Sequence, residues 1–182
     1  MKTKILFFAF LVIACLFPDV SAVKIQWNSG IGANNHYYEA VFNSSVTWIQ
    51  ARDAAIAAGG HLATITSAEE NAFVWSLCGS GLLFLGGYQS FSASSPSSDW
   101  AWVTGEAWSY TNWNAGEPND GGGFDESDHS EQYLEMYSSG VWNDIYNNYT
   151  RNGYVIEYSV PELNTMAFFL TILAFLIYKK SR

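Results

Sequence analysis

Hydrophobic and polar positions change rhythm twice along the chain. Residues 23–42 read as extended, with Asn34-Asn35 as a turn and 36–42 as an apolar, aromatic strand. At Thr47 the period becomes helical: Trp48, Ala51, Ala55 and Ala58 recur on one face and predict a buried stripe. Thr47 with Gln50 three residues on forms a capping box, and Gly59-Gly60 closes the helix. A short strand is expected over 61–65. Ser67 with Glu70 forms a second capping box, opening a helix over 68–77 that should bury Phe73, Val74 and Leu77. Beyond residue 82 the helical period is lost. Strands are expected at 82–85 and 100–103, separated by a Ser-rich loop at 90–98, and again at 132–137, 141–142 and 153–158. Two early helices followed by irregular antiparallel segments predict an α+β fold, with the helices flanking small antiparallel sheets.

Both ends of the chain depart from this pattern. Lys2 and Lys4 precede an apolar run at 5–17 and the small-residue site Val20-Ser21-Ala22, which together read as a signal peptide cleaved after Ala22. The competing reading is a lipoprotein box, Val12-Ile13-Ala14-Cys15, with Cys15 lipidated and kept. At the other end, 166–178 is apolar and is followed by Lys179, Lys180 and Arg182. Thirteen helical residues rise only about 20 Å, against a hydrocarbon core of about 30 Å. Val160-Pro161-Glu162, the apolar run and the basic tail resemble the bacterial C-terminal sorting signals of the PEP-CTERM type, although Leu163 stands where the second Pro of that motif belongs. The alternative is a simple membrane anchor with its positive charges inside. The expected organisation is 1–22 signal peptide, 23–158 domain and 159–182 sorting signal or anchor. The protein is expected to be exported, to the cell surface, outer envelope or extracellular matrix, with at least transient membrane contact through the C-terminal segment.

Composition narrows the function. The 182 residues suffice for one domain with a core, and 17% aromatic residues, eight of them Trp, favour short aromatic strands over a helical bundle. A net charge of −9 excludes nucleic acid and anionic membrane surfaces as natural partners. The two cysteines, Cys15 and Cys78, leave the mature domain without a disulfide, and Cys78 reads as a small buried residue. The acids are unevenly placed. Eight carboxylates (Glu117, Asp120, Asp125, Glu126, Asp128, Glu131, Glu135, Asp144) fall within 117–144, while no Lys or Arg occurs between Arg52 and Arg151. Carboxylates at that density repel one another, and in a segment rich in Gly, Asn and Ser the natural counter-charge is a hard cation held by oxygen ligands, Ca2+. A structureless loop of this length is expected in a compact domain only where it has a function. No catalytic constellation accompanies it: His129 and Ser130 have neither a second ligand pattern nor a nucleophile elbow, so no enzyme is expected.

The ordered motifs identify a relationship. His36-Tyr37-Tyr38-Glu39, Trp48 to Ala51, Gly59-Gly60-His61-Leu62-Ala63-Thr64-Ile65, Glu70-Asn71-Ala72-Phe73-Val74, Leu85-Gly86-Gly87, Trp102-Val103-Thr104-Gly105-Glu106, Tyr110-Thr111-Asn112-Trp113, Gly116-Glu117-Pro118-Asn119 and Trp142-Asn143-Asp144 follow one another in the order found in C-type lectin-like domains. Over 32–158 the chain resembles that family, in its calcium-dependent sugar-binding form known from bacteria. The resemblance implies Ca2+ held by Glu117, Asn119, Glu131, Asn143 and Asp144, with two adjacent sugar hydroxyls entering the same oxygen shell and bonding to the same five side chains. It also implies a cis bond before Pro118, which the small trans preference of X-Pro bonds permits. Glu-Pro-Asn resembles the motif of members that prefer mannose-type sugars, and Trp142 is expected to anchor the core.

Two departures from the family follow. The positions of its two disulfides hold Ala55, Tyr133, Asn147 and Ile156, and Ala55 opposite Ile156 suggests an apolar substitute for one bridge. The loop from Asp120 to Ser130 is long, so Asp125, Glu126 and Asp128 rival Glu131 as the third carboxylate ligand. Asp120 would suit a second calcium, but Gln89 stands where that site has an acid. The partners implied are glycans or extracellular polysaccharide. The alternative function is a calcium-stabilised domain that binds protein or serves as a surface or matrix component.

Overall fold

The first change of rhythm is a true boundary between elements. In the computed structural model, which describes residues 23–121 and 130–160, strand β1 (Ile25–Gln26) precedes β2 (Tyr37–Thr47), which runs directly into helix α1 (Trp48–Ala57). The capping box is complete. The Gln50 N–H donates to Thr47 Oγ1 at 3.3 Å, and the Thr47 N–H donates to Gln50 Oε1 at 3.0 Å. Trp48, Ala51 and Ala55 are buried as expected, whereas Ala58 lies in the cap and is exposed. Gly59, at φ +84°, ends the helix. Gly60 follows where a Cβ would meet the Glu157 carbonyl oxygen at 2.5 Å, so only glycine lets the chain pass into β3 (His61–Leu62).

Helix α2 (Ala68–Cys78) departs from its sequence pattern. Ser67 Oγ accepts the Glu70 N–H at 3.1 Å, but the Glu70 carboxylate does not return to Ser67. It turns inward, where the Thr66 N–H donates to Glu70 Oε2 at 2.6 Å and the Tyr38 hydroxyl donates to Oε1 at 2.5 Å. The buried face is therefore Glu70, Asn71, Val74 and Cys78, while Phe73 and Leu77 pack half-buried against the core. Both inward polar residues have partners, which is what makes their burial tolerable.

The remaining elements are β4 (Leu83–Gln89), β5 (Trp100–Trp102), β6 (Tyr133–Met136), a 3-10 turn (Ser138–Gly140), β7 (Trp142–Ile145) and β8 (Thr150–Tyr158). They join one hydrogen-bonded sheet in the order β1-β2-β8-β4-β6-β7, with β3 on β8 and β5 on β4. The α+β class stands. The local pattern does not reveal that the sheet is connected through a parallel contact of β4 with β8, Phe84 facing Tyr154. The expected strand over 61–65 stops at Leu62, because the Thr64 N–H donates to the Glu157 side chain at 3.0 Å and not to a neighbouring strand.

The missing disulfides have two kinds of replacement. Ala55 and Ile156 share one apolar cluster with Trp48, Leu62, Phe84, Ile145 and Tyr154. At the other pair of positions, Tyr133 stacks on Trp48 with ring centroids 4.3 Å apart and planes 8° from parallel. Asn147 is tied to the residue beside Tyr133 through its amide: the Gln132 N–H donates to Asn147 Oδ1 at 3.0 Å, and Asn147 Nδ2 donates to Gln132 Oε1 at 2.6 Å.

The two ends of the domain meet at a buried polar cluster. Glu157, 2% exposed, accepts from the Thr64 N–H and hydroxyl and lies 2.6 Å from His36 Nδ1. The hydrogen bond to Glu157 is the largest cause raising the His36 pKa above its ordinary 6.5, against desolvation. Burial pushes Glu157 up, but the His36 and Thr64 hydrogen bonds outweigh it and hold the carboxyl below its usual range. The His36 contribution is therefore full below about pH 6.5 and lost as pH rises through its raised folded value. The Glu157 contribution is present above the ordinary carboxyl range and lost as pH falls through its depressed value. Urea midpoints measured from pH 6 to 9 are expected to fall, and His36→Gln should flatten this decline. Equal slopes in the two chains would refute the assignment.

Candidate functional site

Trp142 positions the site. It is fully buried, donates its indole N–H to Asn71 Oδ1 at 2.8 Å, and meets Trp102 edge to face at 5.7 Å. This makes it the core anchor that its place in the Trp-Asn-Asp motif suggests. Its backbone also fixes the neighbouring loop, accepting from the Asn114 N–H at 2.9 Å and donating to the Asn112 carbonyl at 2.8 Å. A turn closed by the Glu117 N–H on the Asn114 carbonyl, 3.0 Å, then delivers Glu117 to a cis peptide bond with Pro118.

Asp144 is 1% exposed and reaches across from β7 to this loop. Its carboxylate accepts from the Asn119 N–H at 3.0 Å and the Asp120 N–H at 2.8 Å. Glu131, 7% exposed, is held on the far side of the loop by its own N–H, which donates to Asp120 Oδ1 at 2.9 Å. Asn143, paired with Glu135 across the β6–β7 ladder, donates its amide to Glu135 Oε1 at 3.0 Å. With its nitrogen so committed, its Oδ1 is left as the acceptor.

The electrostatics of the acids are coupled. Burial, followed by the hydrogen bond and repulsion from Asp144, pushes Glu117 up to about 7. Burial, followed by repulsion from Asp144 and then Glu117 and Asp120, pushes Glu131 up to about 8. Asp144 is itself raised, first by its burial, against the backbone N–H groups that favour its charge. Burial and mutual proximity disfavour ionising all three carboxylates together, and a counter-charge would relieve this. One oxygen, Glu117 Oε2, is buried without a hydrogen-bond partner. Such an atom costs free energy unless something else satisfies it. Three anions and two amide oxygens are the ligand types a hard divalent cation takes, so by chemistry Glu117, Asn119, Glu131, Asn143 and Asp144 would be the residues to hold Ca2+, although Asn119 Oδ1 here accepts the Gly121 N–H at 2.8 Å. Among the described residues, no three His, Cys, Asp or Glu side chains stand together at ligating distance, so the oxygens do not form a closed cage.

The eight-acid stretch divides accordingly. Glu117, Glu131 and Asp144 influence one another. Asp120, 3% exposed, accepts the Glu131 N–H on Oδ1 at 2.9 Å. Gln89, 2% exposed, aims its amide nitrogen at the carbonyls of Ser95, Pro96 and Ser98 and pins the Ser-rich loop. Asp125, Glu126, Asp128 and His129 lie outside the described residues.

Sequence reading missed Glu135. It is fully buried and paired with Arg151 through both its oxygens, with Nη2 to Oε1 at 2.9 Å and Nε on Oε2. A protein side chain therefore neutralises one of the eight acids. The available signal was that Arg151 is the one Lys or Arg in the long interval from 53 to 178, but its partner depends on β8 and β6 lying on either side of β4.

The comparisons agree on the fold. A solved cow C-type carbohydrate-recognition domain of CD23, determined in the presence of GlcNAc2Man3 oligosaccharide, superposes with a TM-score of 0.61 at 24% identity, covering 79% of this chain and 96% of that one. A calcium-independent type II antifreeze protein superposes with a TM-score of 0.56 at 21% identity, over 68% of this chain and 86% of that one. C-type lectin domain family 4 member G of Homo sapiens is 29% identical over 151 residues, 78% of this chain and 48% of that protein. The chain thus spans about half the length of the curated relatives of this type. The family model of the Lectin C-type domain matches residues 44–155, and with the fold and motif order described above the chain belongs to that family.

Proposed function

We propose that the protein is an exported carbohydrate-binding protein whose site works through calcium. The observation that carries this reading is the trio Glu117, Glu131 and Asp144: acids each raised first by burial, with Asp144 raising Glu117 and Glu131 further, and a partnerless buried oxygen on Glu117. Bound Ca2+ would supply the missing positive charge and a Lewis-acidic centre with room for two vicinal hydroxyls. The protein's own groups do the rest. Asp144 holds the Glu-Pro-Asn loop against β7, Asn143 is oriented by Glu135, and Glu117 and Asn119 present acceptor and donor to the sugar. Glu117 before Asn119 favours mannose-type sugars in this reading.

Residues 1–22 would serve as the export signal and 159–182 as a sorting signal or anchor; apart from Ser159 and Val160, these residues lie outside those described. Among the described residues no helix is long and apolar enough to cross a membrane. Single-sugar affinity at so open a site is expected to be about millimolar, roughly −4 kcal/mol, with useful strength arising from clustering.

A glycan array run with calcium and with chelator tests the proposal. Chelator-sensitive signal on mannose-type sugars is expected, moving toward galactose-type sugars in Glu117→Gln/Asn119→Asp. Absence of any glycan signal, alongside calcium-dependent stabilisation, would replace this reading with a calcium-stabilised domain that binds protein or builds a surface matrix.

A further inference from the structure

An apolar groove of about 950 Å³ lies between helix α1 and the β4–β5 hairpin, and it includes none of the five proposed calcium ligands. Trp48, Leu62 and Tyr133 are among its lining. Its rim leaves four large apolar side chains in water: Ile49 is 38% exposed, Ile56 60%, Tyr88 38% and Phe91 67%. Apolar side chains scattered singly over a surface are ordinary, but a set of four around one groove marks a surface that something covers.

The course of the chain points to the occupant. The described residues end at Val160, and just before that end Ser159 Oγ lies 3.2 Å from Nε2 of His61, itself a groove-lining residue. The chain therefore leaves the domain at the edge of the groove. Residues 161–165 follow, a spacer of five that reaches about 17 Å when extended. Then comes the thirteen-residue apolar run 166–178, ending in Lys179, Lys180 and Arg182. As a helix the run would be about 20 Å long, too short for an easy span of the bilayer but enough to lay one face along a groove. Arg52 and Asp99 both line the groove, and Arg52 is paired with Asp53 at 2.7 Å, so the groove itself carries no excess charge and attraction of the basic end rests on the net charge of −9 of the whole chain. The other apolar run of the chain, 5–17, precedes the opposite end. There the chain enters through β1, which pairs with β2, and the Lys24 ammonium lies 3.5 Å over the Tyr158 ring.

We propose that the groove is the docking site of the chain's own C-terminal apolar segment, residues 166–178, which rests there whenever it is not held in a membrane. The segment and the groove thereby shield each other from water, and withdrawal of the segment uncovers the α1 face. The proposal is independent of sugar binding, because it uses neither the calcium ligands nor their loop.

Photocrosslinking of the full chain tests it. Phe91 is replaced by p-benzoylphenylalanine, and in a second variant Ile56 is replaced in the same way; both positions are exposed, so the fold accommodates the larger ring. Irradiation in membrane-free buffer, followed by peptide mapping, is expected to place the adduct within one chain on residues 166–178, with a yield insensitive to dilution. Introducing Ile56→Glu into the Phe91 variant should cut that yield roughly fivefold or more, since a carboxylate would enter the apolar contact. Adducts between two chains would identify a second copy as the occupant, adducts on residues 5–17 the other terminus, and adducts on added phosphatidylcholine vesicles in preference to residues 166–178 a lipid surface. Any of these, or no adduct from either position, would overturn the proposal.

Discussion

Arg151→Met is expected to destabilise the domain by about 3–5 kcal/mol, the usual consequence of leaving one charge of a buried pair uncompensated. Glu135 is fully buried, Arg151 is 20% exposed at its side chain, and the guanidinium meets both carboxylate oxygens. No other Lys or Arg lies between Arg52 and Lys179, so nothing nearby in the sequence can replace it. Without Arg151 the carboxylate must take up a proton or admit water, and Asn143, which donates to Glu135 Oε1, loses a charged acceptor. Combining Arg151→Met with Glu135→Gln should recover most of the loss, because Gln removes the charge and keeps an acceptor for Asn143. Urea unfolding of the wild type, both single variants and the double variant gives the coupling directly. A change below about 1 kcal/mol in Arg151→Met would mean that the pair behaves as an exposed one.

Chelation is expected to have the second large effect. Calcium at a hundredfold excess over its dissociation constant stabilises a fold by about 2.7 kcal/mol, so removing it should lower the melting temperature by about 10 °C. The response should vanish in Asp144→Asn, a variant that keeps an acceptor for the Asn119 and Asp120 N–H groups while removing the charge. Glu131→Gln should abolish it as well, whereas Asp125→Asn, Glu126→Gln and Asp128→Asn should leave it intact. If one of these three abolishes the response while Glu131→Gln preserves it, the third carboxylate ligand lies in the 122–129 loop. A melting temperature indifferent to calcium in the wild type would remove the metal from the proposed function altogether.

Local features were legible in the chain because they depend on residues a few positions apart. The Thr47–Gln50 capping box, the glycines that close α1, the cis bond before Pro118 and the buried Trp142 all rest on such short-range chemistry or on motif order. The second capping box failed for a long-range reason. Glu70 had the correct spacing from Ser67, but Tyr38 and Thr66 offered its carboxylate better donors in the interior. Gln89 and Asp120, which motif order weighs only in terms of a second metal, also tie loops to neighbouring backbone. Their targets lie six to eleven residues away, across turns whose shape no pattern of polarity specifies.

The residues alone determined the α+β class, the order of the helices and most strands, the family, and the acid-rich stretch as the place to look for a site. These follow from periodicity, capping chemistry and charge density, which are properties of neighbours along the chain. Tertiary structure alone decided how the acids share their work. The placing of β8 and β6 on either side of β4 gives Glu135 its Arg151, the reach of Asp144 across to the Glu-Pro-Asn loop couples it to Glu117 and Glu131, and Ser159 lies beside His61 at the edge of an apolar groove. Charges and apolar faces act through distance in space, and that distance is set only when the strands have paired.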